Sequence, residues 1–444
     1  MNVSGTKFGT DFLVDLAGRV ETIEDWLTQE QLTTSFNGIP PEKGDHAYIY
    51  EHTCDPLAAV MGAMANNPDA ALRYFAPSDG DGPFADGDIY LPSPTAQTRM
   101  DMLANRKWDD WSVKGLSAAF AGASTLRMPP APGSDTDDRA TWATAHGISI
   151  LANQDIPSGV AARNTGVMLG NCGPELFAMR NNESADLSIN NGVIPPITLG
   201  GDETKLENGI STLLYKVAGD SGAANAIAQG AMVYADQSAS AAIQANKNDS
   251  NFNPITPIQM EYQKAGEVIG MLDQLSADKG KSRDNNASTV AYGVNTAASL
   301  ISIAEPEVGV PMKLLSVGAT TLDKAITDNA TTMGSDSLRS ATYATAIKQG
   351  AMRVGDDADN GDMYARNNTD KWYSSDPESG EPRITLDTSE EREQFNSWAD
   401  QQGNSGYNQD AASQLDNAGS SGYQEWDQKK RTADSWLKAH GGRK

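Results

Sequence analysis

Two helix starts follow one another in the stretch Asp55-Pro-Leu-Ala-Ala-Val-Met-Gly-Ala-Met-Ala-Asn-Asn-Pro-Asp-Ala-Ala-Leu-Arg-Tyr-Phe75. Asp55 precedes Pro56, and Asn67 repeats the arrangement before Pro68. Proline suits a first helical position because its missing N–H would go unpaired there, and a short Asp or Asn before it can cap the free amides. In the first helix Leu57, Val60, Met61 and Met64 recur at i, i+3, i+4 and i+7, one apolar stripe. Ala71, Leu72 and Phe75 give the second helix a shorter face. A chain that turns so abruptly between two apolar stripes has to fold as packed helices. The stretch carries packing information and no chemistry.

The same language runs through most of the chain. Residues 8–30 predict an amphipathic helix around Phe12, Leu13, Leu16, Val20, Ile23 and Leu27. Asp109, Asp110, Trp111 and Val113 open another containing Leu116, Ala119 and Phe120, and Asp135, Asp137 and Asp138 supply negative charge where a helix dipole favours it. Leu206, Ile210, Leu213, Leu214 and Val217 form a stripe, and Asp220 caps a helix lined by Ala224, Ile227, Ala228, Ala231 and Ala235. Such small residues let helices approach closely. Thr256-Pro257-Ile258-Gln259 reads as a capping box, followed by Ile258, Tyr262, Ala265, Ile269, Leu272 and Leu275 at steps near those of a coiled-coil seam. Further helices are expected near 287–303 and around Leu314 to Ile326. No stretch alternates convincingly with period two, so little sheet is predicted. The fold class is mainly α: one or more multi-helix bundles with long Gly/Asp/Asn-rich loops and a polar C-terminal tail.

A chain of 444 residues has room for two or three domains. Loop-like composition near 184–202 suggests a boundary, giving an N-terminal helical domain (1–183) and a helical bundle or hairpin domain (203–352). Residues 353–444 turn polar and read as a loosely structured tail with short helices, one of them after the capping box at Thr388 to Glu391 and another between Tyr423 and Leu437. Trp372, Trp398, Trp426 and Trp436, isolated in polar surroundings, imply docking onto the bundle or onto a partner.

Lys and Arg total 34 against 59 Asp and Glu, a net charge of −25. That charge repels nucleic acid and anionic membranes, so neither is an expected partner. The first residues lack the apolar core of a cleaved signal peptide, and no apolar run is long enough to span a bilayer. The expected location is cytoplasmic, or secreted without a cleaved signal. Two distant cysteines, Cys54 and Cys172, cannot build a disulfide framework or a four-cysteine zinc site; a single bridge and two buried thiols both remain open.

Candidate chemistry is sparse. Asp79, Asp81, Asp86 and Asp88 superficially resemble a calcium loop. Counted from Asp79, however, the fifth, sixth and twelfth positions are Pro83, Phe84 and Tyr90, where an EF-hand needs an oxygen ligand, Gly and Glu. The run Asp356 to Asp362 fails similarly, since Gly361 comes one place early when counted from Asp357. The four carboxylates at 79–88 therefore stay as candidates for a surface cation, with no metal site assigned. His46, His52 and Cys54 are close in sequence but precede a helix cap rather than sit on rigid elements. His146 falls mid-helix and His440 near the end of the chain. No phosphate-binding loop, dinucleotide fingerprint, His-Glu-x-x-His or Gly-x-Ser-x-Gly motif occurs, and no cofactor or catalytic residue is expected. Tyr423 and Asp427 fit Tyr-x-x-x-Asp/Glu, the pattern recognised in type VII secretion substrates beside a helical hairpin; the spacing puts both on one helix face.

The order Asp55-Pro-Leu, Asn67-Pro-Asp-Ala-Ala-Leu-Arg-Tyr-Phe75, Arg106-Lys-Trp108-Asp-Asp and Gly115-Leu-Ser-Ala-Ala-Phe120 resembles a large actinobacterial family of unknown function. Members of that family occur among predicted secreted proteins linked to the Trp-x-Gly, type VII pathway. Leu213-Leu-Tyr-Lys-Val-Ala-Gly-Asp220, Gln229-Gly-Ala-Met-Val-Tyr234 and Ala265-Gly-Glu-Val-Ile-Gly-Met-Leu272 are similar to its second half, and the likeness covers roughly residues 8–330. These are packing motifs, so the resemblance implies kinship and carries over no catalytic residue. It implies a non-enzymatic helical scaffold or effector body associated with type VII secretion, with protein partners that include the secretion machinery. Two alternatives are a toxin-like effector active in the C-terminal tail and an intracellular acidic partner-binding module.

Overall fold

Both Asx–Pro starts fold as the sequence predicts. In the computed structural model the Asp55 carboxylate accepts the Ala58 N–H at 2.9 Å, and Asn67 Oδ1 accepts that of Ala70 at 3.3 Å. The model describes residues 8–29, 55–77, 94–127, 135–180, 183, 185–187, 203–283, 335–354, 372–375, 382–384, 389–403, 406–428 and 432–444. Before and after the opening pair, the N-terminal half contains α1 (Thr10–Gln29), α2 (Pro56–Met64), α3 (Pro68–Phe75), α4 (Pro94–Asn105), α5 (Ser112–Ser124), α6 (Asp135–Ala152), α7 (Val160–Gly170) and α8 (Gly173–Ala178). Then come α9 (Glu203–Val217), α10 (Ser221–Asn246), α11 (Ile255–Arg283) and α12 (Ser335–Lys348). A hairpin of β1 (Tyr373–Ser375) and β2 (Pro382–Ile384) precedes α13 (Ser389–Gln402), α14 (Gln409–Leu415), α15 (Ala418–Gln428) and α16 (Ala433–Ala439). The protein is mainly helical, and among the described residues the only sheet is that antiparallel hairpin, with Tyr373 opposite Ile384.

The caps do more than start helices. The Asn67 amide also donates to Phe8 O at 2.9 Å and to Thr10 Oγ1 at 3.1 Å, tying the beginning of α1 to the turn between α2 and α3. Asp55 likewise accepts a hydrogen bond from the Arg106 guanidinium at 2.7 Å, which joins the α2 cap to the end of α4. A third Asx–Pro start corrects one expectation. The helix expected to have Thr256 as its cap and Pro257 as its first residue begins two residues earlier, at Ile255, where Asn253 before Pro254 accepts the Ile255 N–H at 3.0 Å. Pro257 then falls in the first turn, where a missing amide costs nothing.

Packing follows the small-residue stripes. α5 lies between α2 and α7, α7 lies on α10, α10 on α11, and α11 carries α15; α6 bridges α5 and α9. At the α7–α10 seam a β-carbon on Gly170 would meet Ala226 O at 2.6 Å, so only glycine lets the two backbones touch there. The stripe from Ile258 to Leu275 is buried along its whole length. The two helices expected within 287–326 lie outside the described residues.

Four helices rather than two occupy the described part of 353–444, and all four tryptophans there are buried in the protein's own core. Trp372, Phe395 and Trp398 form an aromatic cluster with ring centroids 5.0–5.7 Å apart, and Tyr343 of α12 meets Trp398 edge-on. One contiguous set of buried side chains runs from Leu13 in α1 to Leu437 in α16.

Candidate functional site

The acidic residues Asp79, Asp81, Asp86 and Asp88, the run 356–362, and His46, His52 and Cys54 all lie outside the described residues. Among the described residues no group of three or more His, Cys, Asp and Glu is arranged to hold a metal ion. His146 packs its ring on Trp142 at 4.2 Å in α6. Burial pulls its pKa down to about 4 against an opposing influence of Asp101, so the ring is neutral near pH 7 and acts as a flat packing group.

Besides the Asp55–Arg106 pair, the described interior holds two further charged clusters that sequence reasoning did not locate. In the first, the 3₁₀ turn after α5 places Arg127, fully buried, against Glu175 in the first turn of α8. Its Nη2 donates to Glu175 Oε1 at 3.0 Å and its Nη1 to the Asn171 carbonyl at 2.8 Å, while Asn171 Nδ2 donates to Ser124 Oγ at 2.9 Å. Burial is the largest single influence and works against the guanidinium charge, but Glu175 and Cys172 together hold the pKa above its ordinary value. Cys172 belongs to the same cluster. Its thiol is free, donates to Met168 O at 3.3 Å, and is pushed up to about 12 by burial even with Arg127 beside it. A thiol in that state is not a nucleophile at neutral pH. One signal for this cluster does exist in the chain: no acidic residue lies between Asp110 and Asp135, so a buried Arg127 needs a distant partner.

The second cluster fastens the end of the chain. His440, the last residue before a Gly441–Gly442 turn, places Nδ1 2.5 Å from Glu207 Oε1 on α9, and the Ala185 N–H donates to the same carboxylate oxygen at 2.8 Å. Trp436 of α16 donates its indole N–H to Met179 O at 2.8 Å, and Ser211 Oγ donates to His440 O at 3.0 Å. Both His440 and Glu207 are buried, out of reach of a substrate. The arrangement supplies attachment.

Tyr423 and Asp427 fall on one helix, α15, as their spacing predicts. Tyr423 is 38% exposed, and its hydroxyl donates to Asp273 Oδ2 on α11 at 2.7 Å. Of Asp79, Asp81, Asp86, Asp88, Tyr423 and Asp427, it is the one whose side chain is described, and it sits on the surface.

Buried charges paired with one another, a shielded thiol and an exposed tyrosine on α15 belong to a mainly helical body held together by internal contacts. The chain belongs to the family of unknown function DUF6571, which it matches over residues 1–430. No curated protein and no solved structure matches it. No helix among the described residues is long and apolar enough to cross a membrane.

Proposed function

We propose that this protein is a non-enzymatic helical scaffold or effector body associated with type VII secretion in an actinobacterium, acting through protein partners that include the secretion machinery. The observation that carries the reading is the Tyr423-x-x-x-Asp427 pattern on α15, a surface helix paired along α11 with the tyrosine ring exposed. The resemblance of the packing motifs to secretion-linked actinobacterial proteins supports it. The tail's single histidine, His440, is buried against Glu207, which weighs against a hydrolytic or nucleolytic centre built on it in the last segment.

The test is to express the full chain in an actinobacterial host with and without a working type VII machine and to quantify intact protein outside the cells. Accumulation in the medium that depends on the machine supports the reading. Retention inside the cells in both strains overturns it and leaves the acidic, intracellular partner-binding module. A growth defect in a sensitive bacterium expressing residues 353–444 would instead favour the toxin-like effector.

A further inference from the structure

α15 lies on α11 through bare backbone. A β-carbon on Gly266 would meet Gly419 O at 2.0 Å, and one on Gly422 would meet Gln263 O at 1.9 Å. Such a seam admits only glycine on both helices and fixes the azimuth of α15, because any rotation brings larger side chains into the contact. Trp426, one turn beyond the seam, is buried with its Cβ against Gly270. Tyr423 directly follows Gly422, so its Cα position is set by the seam. Its remaining freedom is side-chain rotation, and a tyrosine on an exposed helix face ordinarily samples more than one rotamer. The hydrogen bond to Asp273 selects one of them, and a bond to a carboxylate is stronger than one between neutral groups.

We infer that Asp273 is a positioning residue for the Tyr423 signal, so that the element a partner reads is assembled from α11 and α15 rather than carried by a linear tail. This rests on the export reading above. The tyrosine hydroxyl is engaged by Asp273 at the surface, and the side chain as a whole remains 38% exposed. The role of the hydroxyl is to hold the ring, and Asp273 is the group that makes the hydroxyl useful.

The experiment compares extracellular yield of the full chain carrying Tyr423→Ala, Tyr423→Phe, Asp273→Asn or the Tyr423→Phe/Asp273→Asn pair, with thermal unfolding of each purified protein as the folding control. Tyr423→Ala removes the ring and should abolish export. Tyr423→Phe deletes the hydrogen bond and Asp273→Asn replaces its charged acceptor with a neutral amide oxygen, so each should lower export by about threefold to tenfold, with the larger loss in Tyr423→Phe. The pair should export as Tyr423→Phe alone does, because once the hydroxyl is gone the second change has no bond left to act on. Normal export of Tyr423→Ala sinks the export reading itself. Loss with Tyr423→Ala but wild-type export of Asp273→Asn, or losses that multiply in the pair, overturns the positioning role while leaving the export reading standing.

Discussion

Gly230 of α10 lies against Gly170 at the end of α7 so closely that a β-carbon on Gly230 would sit 2.0 Å from the Gly170 carbonyl oxygen. The obstruction is backbone, not the movable end of a side chain, so relief requires the two helices to separate. Gly230→Ala should therefore cost about 1–3 kcal/mol, the range of overpacked cores. Gly18 of α1 is the contrasting position, with open space where its β-carbon would go. Gly18→Ala should stabilise by about 0.5–1 kcal/mol through helix propensity alone. Urea unfolding midpoints of the two variants, moving in opposite directions, check the pair.

Arg127 and Glu175 neutralise one another where no water reaches. Arg127→Met takes the guanidinium away from the buried Glu175 carboxylate and should cost about 3–5 kcal/mol. Replacing both, as Arg127→Met with Glu175→Leu, removes the remaining charge and should recover most of that loss. If the double variant is as unstable as the single one, the pair is needed for its geometry, through the Asn171 carbonyl and the Ser124 bond, rather than for charge balance. Equilibrium unfolding of the three proteins decides between these.

How much of this was legible beforehand divides along physical lines. The starts at Asp55 and Asn67, the cap at Asp220 and the stripe from Ile258 to Leu275 are local: their signals lie within a few residues, and local geometry decides them. The Asn67 amide reaching Phe8, Glu207 receiving His440, and Asp273 receiving Tyr423 are not local, since each joins residues separated by 59, 233 and 150 positions. Among many acidic residues nothing in spacing distinguishes those three carboxylate and amide partners. The polar composition after residue 353 also concealed how much of it is helical. Short helices such as α14 and α16 gain their stability from a few buried anchors, Leu415 and Trp436 among them, rather than from a long amphipathic stripe.

Two of the perturbed groups, His146 and Cys172, shift in opposite directions and predict opposite limbs of the pH–stability curve. His146 has a folded pKa near 4, below its ordinary value of 6.5, so the unfolded chain binds the extra proton first as pH falls. Stability is whole above about pH 6.5 and declines as the pH drops toward 4, and His146→Gln should flatten that acid limb. Cys172 has its folded pKa raised to about 12, so the unfolded chain loses the proton first as pH rises. Stability is whole below the ordinary thiol range and declines from there toward pH 12, and Cys172→Ala should flatten the alkaline limb. Thiol labelling at pH 8 should likewise be negligible at this residue until denaturant is added.

Trp436 is the principal anchor of the chain's end, with its ring buried and its indole N–H given to Met179 O. Two substitutions separate these contributions. Trp436→Phe keeps a large apolar ring but leaves the Met179 carbonyl without its donor, at a cost of about 1 kcal/mol. Trp436→Ala also opens a cavity and should cost about 3–5 kcal/mol. Because His440 caps the end of the same short helix, loosening α16 should also loosen the contact with Glu207 and the bond from Ser211 Oγ to His440 O. Hydrogen exchange offers the direct measurement. Amides of residues 433–442 should lose protection in Trp436→Ala, together with the Ala185 N–H that shares the Glu207 carboxylate, while the α2–α5 contact keeps its protection. Uniform loss across both regions would mean that the end of the chain unfolds only with the whole core, and that α16 is a full member of it rather than an attachment.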